Sequence, residues 1–327
     1  MKNRRTFLIL AVAVFFTAAA VIISICTGRY PLTIGSILKG DEMAVRVFLT
    51  LRLPRVIMSV VAGFAIGCAG WVYQTIFNNP LASPDIIGVS SGASAGAAFA
   101  ILFLSGGAFA VTSSAFVGGI IAVILSLTLS AVCGRNQIAS VVLSGIAVNA
   151  IAQAILMTLK LAADPEKQLA SIEYWTMGSL SAVTASKIPA AVITALASSF
   201  LLIILHRQIL ILSAGTHEAK MLGVNVNLVR FTVLILATLA VTSAVSVTGL
   251  ISFIGLLAPH CARLIMKHNR ASSMVLGGIM GALIMTLADI LARSITNTEL
   301  PISIFTSLLG APFMLYLIAK GEKKFGF

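Results

Sequence analysis

Apolar blocks of about 17–25 residues, the length an α-helix needs to cross the hydrocarbon core of a bilayer, recur along the whole chain between short polar turns. The pattern predicts ten spanning helices, at about residues 7–27, 55–77, 88–104, 108–133, 138–162, 188–206, 229–247, 250–266, 272–292 and 301–319. The turns leave almost no room for a folded soluble domain. The expectation is an all-α polytopic membrane protein, one transmembrane domain over residues 1–327.

Three stretches depart from the plain alternation of span and turn. Asp164–Lys187 places Leu169, Ile172 and Trp175 at helical spacing, which predicts a short amphipathic helix over Gln168–Met177 on the outer surface. Such a helix either packs on the bundle or roofs an opening between spans. His206–Arg230 predicts a helix of under two turns, with Thr216 as its cap, Glu218 in its first turn and Lys220 in its last. Gly223 suits the left-handed position just past its end. Too short to be stable alone in water, it must rest an apolar side, Ala219 and Leu222, on its own membrane domain or on another protein. The third stretch, "NNPLASPDIIGVSSGASAGAAFA" from Asn78 to Ala100, puts Pro80 and Pro84 directly before a helix of small residues. Each proline removes a backbone donor and turns the preceding residue out of the helical region. Gly92 and Gly96 then stand at the spacing that lets helix backbones approach closely. Two readings fit: a tight turn with a packing helix, or irregular backbone lining a cavity, the place where such backbone is tolerated at membrane depth.

Composition agrees. Of 327 residues 59% are hydrophobic and 10% charged, where a soluble domain carries roughly a quarter charged. Mean hydropathy is +1.06. The net charge of +12 is scattered among loops and helix ends, the pattern of a membrane protein oriented by its basic residues and not of a nucleic-acid binder. Ten spans put both termini on one side; with Lys2, Arg4, Arg5, Lys267–Arg270 and Lys320, Lys323 and Lys324 inside, 13 Lys and Arg lie in the cytoplasm and 9 outside. The first block is longer than a signal-peptide core and reads as a retained helix. Cys26, Cys68, Cys133 and Cys261 have no paired spacing and read as small apolar residues.

Chemistry-bearing motifs are missing: no HExxH, no metal-spaced Cys/His cluster, no GxSxG and no phosphate-binding G-x-x-x-x-G-K-[ST]. His260 and Arg263 read as packing near the inner interface. Asp289 and Arg293, four apart, read as a pair within one helix. Transport is the function left, ahead of an intramembrane enzyme or a scaffold. The scarcity of mid-span charge argues against an ion-coupled carrier and for an outside energy source.

Seven stretches then assemble in order: "LRLPR" (Leu51–Arg55), "NNPLASPDIIGVSSGA" (Asn78–Ala93), "YWTMGSLS" (Tyr174–Ser181), "THEAKMLGV" (Thr216–Val224), "FIGLLAPHCARLI" (Phe253–Ile265), "LADILAR" (Leu287–Arg293) and "ELPISIFTSLLGAPFMLYLI" (Glu299–Ile318). From Leu51 to the C-terminus the chain resembles the permease subunits of ABC importers for iron–siderophores, haem and vitamin B12. The resemblance implies ten helices per subunit and a second permease, identical or paralogous, alongside. It also implies two cytoplasmic ATPase subunits that use ATP and Mg, and an extracytoplasmic substrate-binding protein. It implies no cofactor, metal or catalytic residue on this chain, whose runner-up reading is an ion-coupled carrier of a small organic solute. By resemblance, Asn79 and Leu81 belong to a cytoplasmic gate. Gly215, Thr216, Glu218, Ala219, Leu222 and Gly223 belong to an ATPase-coupling loop at about residues 207–228. Arg52 and Arg293 meet acidic side chains of the binding protein, which accounts for Arg29, Lys39, Arg46, Arg52 and Arg55 clustering outside. The chain departs from the family pattern at Trp71 and Tyr73, two large aromatics expected near the path where they narrow it or reshape its selectivity, and at Ser303, where the family has Gly.

Overall fold

The computed structural model describes residues 2–28, 30, 35, 40–104, 106–132, 138–185, 188–296 and 298–319. Expectations placed on Arg29, Lys39, Cys133, Lys187, Lys320, Lys323 and Lys324 lie outside the described residues.

Each predicted apolar block contains a helix, and no strand occurs among the described residues. Helix α1 is Lys2–Cys26; α2 (Glu42–Val47) runs through a π-turn, Phe48–Arg52, into α3 (Leu53–Ile76). After a 3-10 turn at Pro84–Ile87 come α4 (Val89–Phe103), α5 (Ala108–Val132) and α6 (Ile138–Ala162). The expected amphipathic helix is α7 (Ala170–Met177), entered by a π-turn at Pro165–Leu169. Helix α8 (Ile188–Ile204) bends by 60° into α9 (His206–Ser213), which leads to α10 (Thr216–Met221). The rest is α11 (Val226–Thr248), α12 (Ile254–Met266), α13 (Ala271–Ser294) and α14 (Ile302–Ala319).

The ten blocks are not ten equal spans. Among the described residues six helices are long and apolar enough to cross a bilayer, and the bent α8–α9 pair makes a seventh; α4, α12 and α14 are shorter. With 13 residues, α12 reaches about 20 Å, against about 30 Å of hydrocarbon.

Helix α3 is the axis, packed against α13, α11, α12 and α8. It gets close because Gly63, Gly67 and Gly70 form one stripe. A β-carbon at Gly63 would run into the Gly281 carbonyl, one at Gly67 into that of Gly277, and one at Gly70 into that of Gly255. Backbone therefore touches backbone, the arrangement by which membrane helices gain van der Waals contact where lipid removes the hydrophobic drive to associate. Gly92 and Gly96 do the same against Gly118 and Ser114, as their spacing predicts.

Trp71 and Tyr73 are not near an open path. Both side chains are fully buried inside the subunit. The Trp71 indole N–H donates to Ser273 Oγ at 3.0 Å, and the Tyr73 hydroxyl shares a hydrogen bond with Thr238 Oγ1 at 3.3 Å. Each ring fills core volume and brings a partner for its polar atom, as a buried aromatic must.

The glycine contacts generate a stability prediction. Gly67→Leu and Gly281→Val, which force side chains into facing backbone, should each cost about 1–3 kcal/mol or more. Gly107→Ala, which meets nothing within 4 Å, should cost little. Thermal unfolding of the detergent-solubilised chain ranks the three; equal midpoints would mean the close approach does not hold the bundle together.

Candidate functional site

Two irregular backbone stretches, far apart in sequence, face each other inside the bundle. The first follows α3. Asn78 takes a left-handed conformation, φ 48°, and the Asn79 side chain then organises the turn. Its Oδ1 accepts from the Leu81 N–H at 2.9 Å, and its carbonyl accepts from the Ala82 N–H at 3.1 Å. This leaves Leu81 47% exposed, while Ala82, Ser83 and Pro84 are buried. Within this chain Leu81 is therefore no closed plug; anything it seals against must be another molecule.

The second stretch was not foreseen. Helix α11 stops at Thr248, and residues 249–253 are non-helical before α12 starts. Their neighbours satisfy the freed carbonyls: the Ser179 N–H donates to Thr248 O at 2.7 Å, and the Ser303 hydroxyl to Leu250 O at 2.7 Å. Ser303, the departure from the family's glycine, thus supplies a donor to broken backbone. The signal in the sequence was the pair Gly249 and Gly255 flanking "LISFI".

Between the two stretches lies a small cavity of about 20 Å³, room for about one water, lined by Ser83, Asp85, Ser90, Phe253 and Leu256. The proline turn answers to both readings: it is a tight turn leading into a closely packed helix, and its backbone also lines this space. Asp85 is open to this space while protein encloses it. Its carboxylate accepts a hydrogen bond from the Ser90 hydroxyl. On the other side of the 249–253 break α7 does both things expected of it. Ile172 packs with Ala98 and Leu156, and the helix's other side roofs a cleft of about 670 Å³ lined by Tyr174, Trp175, Thr112, Ser246 and Thr248.

Helix α10 differs from expectation in two respects. Its N-cap is Gly215, and Thr216 is the first helical residue, its hydroxyl accepting from Arg230 Nη2 at 3.4 Å. Gly215 sits at φ 130°, a conformation that favours glycine, and the Glu218 carboxylate reaches back over it. Ala219 and Leu222 do not share a side either: Ala219 is fully buried against Leu212 and Val226, while Leu222 is 67% and Met221 76% exposed. One helix seats inward by an alanine and shows two large apolar side chains outward. Gly223 is left-handed as predicted, φ 77°.

Asp289 and Arg293 pair at 3.2 Å, but as part of a larger cluster. Arg55 donates to Asp289 Oδ1 at 2.8 Å and to Glu299 Oε2 at 2.9 Å, and Asp289 is completely buried. Arg52 and Arg293 also turn inward, donating to carbonyls at the end of α1. A few tenths of a kcal/mol suits an exposed helical pair; this cluster is a buried one.

The chain matches the FecCD transport family model over residues 15–320. It belongs to that family. It is 38% identical, over 83% of its length and 82% of the relative's, to a probable iron chelatin transport system permease of Helicobacter pylori. It is 34% identical to the cobalamin import permease BtuC of Halobacterium salinarum, over 84% and 73% of the two chains. A metal-chelate-type ABC transporter in an inward-facing conformation superimposes with a TM-score of 0.85 at 31% identity, covering 95% of this chain and 99% of the other. The fold is that of an ABC importer permease, a multi-pass membrane protein, and the ion-coupled carrier is set aside.

The cluster and α10 give one prediction. Asp289→Ala strips a buried anion from two arginines and should destabilise by about 3–5 kcal/mol. Ala219→Asp should likewise unseat α10, while Leu222→Asp, at an exposed position, should change stability by under about 0.5 kcal/mol. Urea or thermal unfolding monitored at Trp71 and Trp175 separates them; a stable Asp289→Ala chain would show the cluster to be dispensable.

Proposed function

We propose that the chain is the permease subunit through which an iron chelate, haem or a corrinoid is carried from an extracytoplasmic binding protein into the cytoplasm, driven by ATP hydrolysis on separate subunits. The observation that carries this reading is the pair of irregular stretches, 78–88 and 249–253, meeting around a cavity in a chain of this family. Irregular backbone at membrane depth belongs where a path runs. Asn79 and Leu81 form the cytoplasmic gate: the Asn79 turn holds Leu81 out, where a second permease, identical or paralogous, presents the opposing surface. Residues Gly215–Gly223 form the coupling element. Met221 and Leu222 lie against an ATPase subunit, while Ala219 and the Arg230–Thr216 contact pass its movement to α11. Both termini are cytoplasmic, ATP and Mg act on the partner, and this chain contributes no catalytic group. Arg52 and Arg293 are the docking groups for the binding protein.

The test is reconstitution with the partner ATPase. Uptake of a radiolabelled ferric chelate, haem or cobalamin should require ATP hydrolysis and survive collapse of the proton and sodium gradients. Loss of uptake on collapse, with ATP present, would remove the reading. Leu222→Asp should reduce substrate-stimulated ATP hydrolysis at least about tenfold with the complex still folded, an effect of about 1.4 kcal/mol at the interface. Leu81→Ala should let preloaded substrate leak from vesicles without ATP; no added leak would show that Leu81 seals nothing.

A further inference from the structure

Arg52 and Arg293 cannot receive a partner's carboxylate as they stand. Arg52 is 5% exposed and the Arg293 side chain 6%. Their Nη donors are engaged at the end of α1 and just beyond it. Arg52 donates from Nη1 to the Ile25 carbonyl and from Nη2 to the Tyr30 carbonyl. Arg293 donates from Nη1 to the Thr27 carbonyl at 3.1 Å, and from Nη2 to the Ser24 carbonyl at 3.0 Å and the Ser24 hydroxyl.

The last carbonyls of a helix lack intrahelical partners and carry the negative end of its dipole. The end of α1 thus offers the arginines what a carboxylate would, negative potential and free lone pairs. The fit is close: a β-carbon at Gly28 would stand 2.7 Å from Arg52 Nη2. Elsewhere α1 rests on α13 by a narrow face that buries Ala13 and Ala20. Only 17% of its apolar window is buried, and its packing cluster, Ile9, Leu10 and Ala13 against Ala262 and Leu276, lies toward its other end.

We propose that the C-terminal carbonyls of α1 occupy the docking arginines in the undocked transporter, and that acidic side chains of the binding protein dock by exchanging for them and releasing the end of α1. The inference rests on the docking role proposed above and adds a latch to it. Asp289 stays beside Arg293 through the exchange, so that guanidinium is never left without a counter-charge. Apparent affinity is lowered by the fraction of time the latch is closed. A protein presenting one acid in place of two properly spaced ones does not open both arginines.

Cys26, exposed at the end of α1, is a built-in reporter. A transporter in which it is the sole cysteine on the permease, nitroxide-labelled and reconstituted in nanodiscs, is titrated with the purified extracytoplasmic binding protein. Docking should raise label mobility at Cys26. Ser24→Ala, which removes one acceptor from the latch and leaves both arginines, should tighten docking about fivefold. If Arg52→Glu and Arg293→Glu weaken docking but the label does not respond and Ser24→Ala binds like the parent, the arginines dock and the latch is overturned. If both reversals bind as tightly as the parent, the docking role fails and the latch fails with it.

Discussion

A carbonyl released from a helix within a membrane finds no water, and the protein must supply its partner or bear several kcal/mol for the group. This requirement governs the interior of the bundle. Breaking the chain at 249–253 needs the Ser179 amide under Thr248, the Ser303 hydroxyl at Leu250, and the turn after α7 brought down to meet them. The Ile302 N–H, at the start of α14, closes the same knot on the Gly178 carbonyl at 3.0 Å. Four elements from the second half of the chain therefore converge because one segment is not helical. On its other side the same break, through Ile251 and Phe253, borders the small cavity beside the proline turn.

Against that irregular centre stands a rigid axis. The glycine faces of α3 and α13 put backbone on backbone, with no side-chain rotamers to rearrange, so these helices move as one body. What can move independently is fastened by fewer contacts. Helix α10 is held by a buried alanine, a hydroxyl and its capping glycine, whereas the proline turn is packed against α6 through Gly145 and belongs with the fixed parts. Transport needs parts that shift and parts that do not, and the division falls along these lines.

Much of this was legible in the sequence, for one reason: apolar blocks of bilayer length are an unambiguous signal, and each contains a helix. Gly92–Gly96, Gly223 and the amphipathic α7 were also readable, because each obeys a local rule. What escaped depends on which partner lies opposite. Trp71 and Tyr73 look like path-narrowing bulk until Ser273 and Thr238 are seen to receive their polar atoms. Ala219 and Leu222 share a helical side by spacing, yet a six-residue helix seated on Leu212 and Val226 sends one in and the other out. Asp289 and Arg293 are four apart and invite a local explanation, whereas the partner that matters, Arg55, lies 234 residues away. The break after Thr248 could have been suspected from its two glycines, but the serine that makes it tolerable belongs to α14.

The brevity of α4, 15 residues with Phe99 and Phe103 exposed, ties the protein to the lipid around it. A helix shorter than the hydrocarbon layer does not span by itself. Acyl chains that reach its ends must compress, tilt or be kept away, at a fraction of a kcal/mol per ångström of mismatch. Thick and well-ordered bilayers favour covering this flank with another chain, and thin bilayers relieve it. Acyl-chain length is thereby a force on this molecule, acting where its helices are too short to meet the membrane on equal terms.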